Sequence, residues 1–263
     1  MPATTRFTPT PRDLAILSSV RVHRRLTATQ VRRLFFRGVD GSLAAPQTVH
    51  ARLRRLIQLG YLDVLVVDGG RGAGPYAYGI TVRGLHTVGA SARPRGNPGP
   101  VLHDLQLAEL RVNMQLGLEA HGGELVEWVG EGDLRSLLRG SGAPRPDGLC
   151  HWRMGRQHGV VLFELDRGTE PFAALTQKLF RYRAWFRTGT HRELVTGLPL
   201  RPRVAVVAPK ARARRLVAVL RSVRSQAGVG VFVAPLDDAV RDPLGRRWWR
   251  RDDLGRLEGI LDA

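Results

Sequence analysis

Apolar positions recur along this chain with two different periods, and the change from one to the other organises it. Over residues 12–25, Leu14, Leu17, Val20 and Val22 recur at helical spacing with Ile16 beside them. Thr27-Ala28-Thr29-Gln30 has the form of a capping box, in which threonine and glutamine satisfy each other's backbone donors, so a second helix starts there and runs through Val31 and Leu34. The Gly-containing stretch 38–42 breaks it. Pro46 opens a third helix, where its missing N–H costs nothing, and Gly60 ends it. Residues 61–67 and 76–80 then read as strands around the turn Asp68-Gly69-Gly70-Arg71-Gly72-Ala73-Gly74, and a short helix follows at 82–88. Three helices and a hairpin predict a winged helix-turn-helix over residues 1–90.

Ser91 to Pro100 reads SARPRGNPGP, a linker by composition. Beyond it, residues 101–263 alternate helix and strand. A helix is predicted at 103–120, strands at 124–129, 147–152 and 160–166, and a helix at 170–187 buried through Phe172, Leu175, Leu179 and Phe186. A strand at 203–208, a basic helix at 211–225 and a strand at 229–234 follow. The expected class is mixed α/β, a sheet with helices packed on it. In the tail, Trp248 and Trp249 sit among four arginines; the pair either stacks on bases or docks a terminal segment onto the core.

Composition narrows the setting. The chain has 263 residues, 43% of them apolar and 24% charged. It lacks an apolar run of membrane-spanning length and a signal-peptide core, so the expected location is the cytoplasm. A single cysteine, Cys150, excludes an internal disulfide. Against 41 basic residues stand 23 acidic ones, a net charge of +18. Such a balance points to nucleic acid as the partner rather than a membrane. Residues 1–90 hold 13 arginines and four acids, half of the net charge in a third of the chain.

The third helix is the candidate DNA-reading element. Val49, Leu53 and Leu56 fall on one side, leaving Gln47, Ala51, Arg54, Arg55 and Gln58 opposite, with Thr48 and His50 at the margin. In a major groove, Gln47 is placed to read adenine and Arg54 guanine, while Arg55 meets phosphate. Arg71 at the wing tip is placed for a minor groove or a phosphate. The alternative is a solvated basic face used for protein contacts.

A second constellation lies in the α/β half. Lys178 and Lys210 are the only lysines among the 41 basic residues, and lysine is a compact point charge where arginine is a rigid fork. On the predicted strand 160–166, alternation puts Val160, Leu162, Glu164 and Asp166 on one face. If strand 147–152 pairs with it, Asp147 approaches Glu164. Two carboxylates from different strands suit Mg²⁺, which keeps several waters and would activate one against a phosphodiester. Lys178 and Tyr182, four apart, share a helix face. The competing reading is an ion-pair cluster with Arg145, Arg167 and Arg181. His103-Asp104 lacks the further ligands of a metal-binding dyad, so Asp104 is expected to serve a helix N-terminus.

Three signatures together resemble the replication-relaxation family of bacterial mobile elements: His103-Asp104-Leu105 with Glu109, Arg145-Pro146-Asp147-Gly148, and Glu164-Leu165-Asp166-Arg167-Gly168-Thr169-Glu170 followed by Lys178 and Tyr182. Leu26-Thr27-Ala28-Thr29-Gln30 and Arg52-Leu53-Arg54-Arg55-Leu56 extend the likeness, which covers about residues 12–210. The resemblance implies a winged helix joined to a nuclease-like domain of the PD-(D/E)xK type. It implies Glu109 as the acid of the first helix, Asp147 as the second-strand Asp, and an acid-x-lysine on the third strand. Here that last element is Glu164-Leu165-Asp166, with Asp in the lysine's place and Lys178 as a substitute from the helix. The expected site is therefore Asp147 and Glu164 as Mg²⁺ ligands with Lys178, Asp166 and Glu109 as catalytic groups. The expected function is binding of double-stranded DNA in plasmid replication, relaxation or DNA processing, with a homodimer as a compatible assembly. An active Mg²⁺-dependent nickase and a transcription regulator with a non-catalytic second domain are the alternatives.

Overall fold

The computed structural model describes residues 7–67, 76–90, 101–140, 142–189, 203–222, 230–246, 248–250 and 257–260. The expected linker 91–100, the Gly-rich turn and Arg71 lie outside these. The chain divides into two compact units, Met1–Ala108 and Glu109–Ala263. Helix α5 (Val101–Ala120) contains the point of division.

The first unit holds α1 (Pro11–His23), β1 (Arg25–Thr27), α2 (Ala28–Phe35), α3 (Pro46–Gln58), β2 (Leu62–Val66), β3 (Tyr76–Ile80) and α4 (Val82–Thr87). Its strands form a three-stranded antiparallel sheet in the order β1-β3-β2. The expected capping box is present on α2: Thr27 N–H donates to Gln30 at 2.9 Å, and Gln30 N–H donates to the Thr27 hydroxyl at 3.2 Å. Helix α1 stops earlier than its periodicity predicts. Arg24 takes φ 64°, a left-handed conformation that ends the helix and frees Arg25–Thr27 to form β1. Ile16, Leu17, Val20, Leu26, Val31, Val49, Leu53 and Leu56 form the core.

The second unit is a seven-stranded mixed sheet in the order β10-β9-β8-β7-β6-β5-β4. Its elements are β4 (Gly123–Gly130), α6 (Glu131–Leu137), β5 (Gly148–Met154), β6 (Gln157–Leu165), α7 (Phe172–Thr188), β7 (Arg203–Ala208), α8 (Lys210–Ser222), β8 (Gly230–Pro235), α9 (Leu236–Arg241), β9 (Trp248–Arg250) and β10 (Leu257–Glu258). Strands β6, β7 and β8 are parallel, which requires crossovers, and α7 and α8 supply them. Both helices bury their apolar sides in one core with Val160, Leu162, Val204, Val206, Val231 and Val233.

Several expectations move. Asp147 precedes β5 instead of lying in it, and α7 starts at Phe172 instead of Glu170. Pro171 sits at the N-cap of α7, and a residue before proline is kept out of helical conformation. Helices α6 and α9 are too short to show a period in sequence. Trp248 is fully buried in β9, its Nε1–H donating to the Pro243 carbonyl at 2.9 Å, so the pair docks the tail segment and does not offer Trp248 for stacking. Cys150 is fully buried in β5, and burial pushes its thiol up to about 12.

Candidate functional site

Strand β6 delivers Glu164 into the α7 side of the sheet, by the same alternation that buries Val160 and Leu162 there. Glu164 is 3% exposed. An isolated buried carboxylate is costly unless it is paired or protonated. Lys178 and Tyr182, one turn apart on α7, meet that need: the Lys178 ammonium donates to Glu164 Oε2 and the Tyr182 hydroxyl to Oε1. Asp147 bonds to the residues on either side of Glu164. Its N–H donates to the Phe163 carbonyl at 2.9 Å, and its Oδ2 accepts from Leu165 N–H at 2.7 Å. The Asp147 side chain thus completes the ladder where the strand itself has ended.

Electrostatics follow from this packing. Burial pushes the Glu164 carboxyl up to about 8; Lys178 pulls it down, and the charge on Asp147 pushes it up again. For Lys178, burial favours the neutral amine, but Glu164 and Asp147 outweigh it and the pKa rises, so the ammonium keeps its proton. Tyr182 is raised by burial and by Glu164, which keeps its hydroxyl a donor.

Asp166 lies just past β6, its N–H donating to the Val207 carbonyl at 2.8 Å. Its Oδ1 accepts from Gly168 N–H at 2.8 Å and its Oδ2 from Arg212 Nε at 2.6 Å. Glu109 is not brought to this cluster. It accepts from Asn113 at 3.3 Å, on a helix whose Arg111 acts on Cys150. Cys150 is in register with Val161, three residues from Glu164 and so on the other face of the sheet.

As placed, these carboxylates are engaged by protein donors and are not grouped as a shell for Mg²⁺. The ion demands an octahedral oxygen shell, yet both Glu164 oxygens and both Asp166 oxygens accept from protein donors, as does Asp147 Oδ2. Among the described residues, no group of three or more His, Cys, Asp or Glu side chains is disposed to hold a metal.

In the first unit, Val49, Leu53 and Leu56 of α3 are buried, and Gln47, Thr48, Arg54 and Arg55 are exposed. Beside this face runs a cleft of about 620 Å³ whose lining includes Thr10, Arg12, Phe36, Thr48, Arg52 and Arg55. The sequence reading missed its anchor. Asp13, fully buried, closes a capping box with Thr10 and is held by both Arg52 Nε, at 2.5 Å, and Arg52 Nη2. Burial opposes its charge, but hydrogen bonds from Arg52 and Thr10 prevail and lower its pKa. The Thr-x-x-Asp spacing of Thr10 and Asp13 was the signal available in the sequence.

A two-unit mixed α/β chain, with a basic helix face in one unit and a lysine-bound carboxylate cluster in the other, is the class defined by fold and site. The chain belongs to the replication-relaxation family, whose model matches residues 17–198. A comparison with curated proteins found no match. Among the described residues, no helix is long and apolar enough to cross a membrane.

Proposed function

We propose that this protein binds duplex DNA through its first unit, acting as a winged helix-turn-helix, in the replication of a plasmid or other mobile element. The observation that carries the reading is the face of α3. Three apolar residues fix the helix to the core, and the solvent side offers Gln47, Thr48, Arg54 and Arg55 with no acidic residue in the helix. Such a helix suits a major groove, and Arg71, outside the described residues, is kept as a candidate added contact. Family membership supports a role in plasmid replication. The second unit is read as a nuclease-like fold whose carboxylates are structural.

Retardation of duplex DNA by wild type and by Arg54→Ala/Arg55→Ala tests this. The variant is expected to bind roughly tenfold or more weakly, since a base or phosphate contact is worth about 1–3 kcal/mol. Unchanged affinity would sink the assignment of α3.

A second reading keeps Mg²⁺-dependent nicking at the cluster of Asp147, Glu164 and Lys178, without the Glu109 that the sequence had offered. The charges of Lys178 and Asp147 acting on Glu164 favour it; the hydrogen bonds these carboxylates already accept oppose it. Supercoiled plasmid with Mg²⁺ or Mn²⁺ separates the two readings. Retarded but intact plasmid is expected from wild type and from Asp147→Ala/Glu164→Ala alike. Nicking by wild type alone would establish the enzyme.

A further inference from the structure

We propose that the solvent face of α7 and α8 is a second DNA-binding surface, one that grips the phosphate backbone and belongs to the second unit. Helix α7 carries four basic residues and α8 five, and neither contains Asp or Glu. Surface helices ordinarily mix both signs, because like charges one turn apart repel. Here the two helices also share a layer. Consecutive parallel strands β6, β7 and β8 place both crossovers on one face of the sheet, and Leu175, Leu179, Leu216 and Val217 join one core. Arg215 of α8 lies 4.2 Å from the ring centroid of Phe172 in α7, which fixes the helices as neighbours.

The fold uses only part of this charge. Lys178 is held by Glu164 and Arg212 by Asp166. Arg181, Arg187, Lys210, Arg214 and Arg215 are exposed. Their repulsion does nothing for stability, so the arrangement fits a polyanion that lies along the surface. Duplex DNA is such a partner, with one charge per ~1.7 Å of axis. An anionic membrane fits less well, because an interfacial helix needs a broad apolar face; the one exposed large apolar residue described on these two helices is Phe180. This surface is separate from α3 and does not rest on its assignment.

The test is retardation of a mixed-sequence duplex across a series of salt concentrations, with five full-length proteins: wild type, Arg181→Gln/Lys210→Gln/Arg214→Gln, Arg54→Gln/Arg55→Gln, the combination of these two, and Arg181→Lys/Arg214→Lys. Each lost phosphate contact lowers the slope of log affinity on log salt by about 0.9. The triple variant is expected to lower the slope by about 2–3, and Arg54→Gln/Arg55→Gln to keep residual binding that the combination loses. The charge-conserving Arg181→Lys/Arg214→Lys is expected to keep the wild-type slope, which separates charge loss from misfolding. A wild-type slope in the triple variant would overturn the proposal. So would a triple variant that loses binding only to vesicles of anionic lipid. No effect of Arg54→Gln/Arg55→Gln would count against α3 alone.

Discussion

Glu164 is held by two donors from one helix, and its protonation couples to stability. Its folded pKa, pushed to about 8 by burial, stands above the ordinary 4.5. The folded state therefore holds a proton that the unfolded chain releases. That contribution is complete below about pH 4.5 and is lost as pH rises toward 8. Urea titrations of wild type at pH 5, 7 and 9 are expected to show this decline, and Glu164→Gln to remove it. Lys178→Met leaves the buried carboxylate without its cation, a loss of about 3–5 kcal/mol where the carboxylate must stay charged. At pH 5 a proton fills that role, so the same variant is expected to be much less destabilised than at pH 9. Equal losses at both pH values would mean that Glu164 does not titrate with folding.

At the scale of elements, α1 and α3 share an apolar core and are tied by one buried carboxylate and one guanidinium. Arg52→Ala leaves Asp13 buried without its fork, and about 3 kcal/mol of stability is expected to go with it, measured by thermal or urea unfolding. Because the pKa of Asp13 is lowered, the pair's contribution is present above the ordinary carboxylate range and fades as pH falls through it. Arg52→Ala is expected to flatten that acid limb. Elements of this kind differ in how they announce themselves. The capping box at Thr27 and the Val49-Leu53-Leu56 stripe were legible because caps and periods are local. The lysine partner of Glu164 was legible because alternation on β6 and a four-residue spacing on α7 both point to it. What stayed hidden depends on distant residues: Asp166 turned to Arg212, 46 residues away, and the helix of Glu109 is held by Asn113 donating to the Val240 carbonyl. Strand β1 was hidden because one arginine, Arg24, adopts a positive φ that no propensity favours.

For the molecule as a whole, two compact units with separate cores imply two unfolding events. Arg52→Ala is expected to shift one transition and Lys178→Met the other, observed by calorimetry. A single transition moved equally by both would mean that the units unfold together. The net charge of +18 adds a salt dependence that any binding measurement must control. Cys150 supplies a way to watch the second event alone. It is the chain's one cysteine, it has no solvent exposure, and its thiol is held protonated in β5, between β4 and β6. A thiol-reactive dye therefore finds nothing to modify until β5 comes loose, and the rate of colour development becomes a clock for the opening of that sheet. The wild-type protein carries this clock without any engineered label.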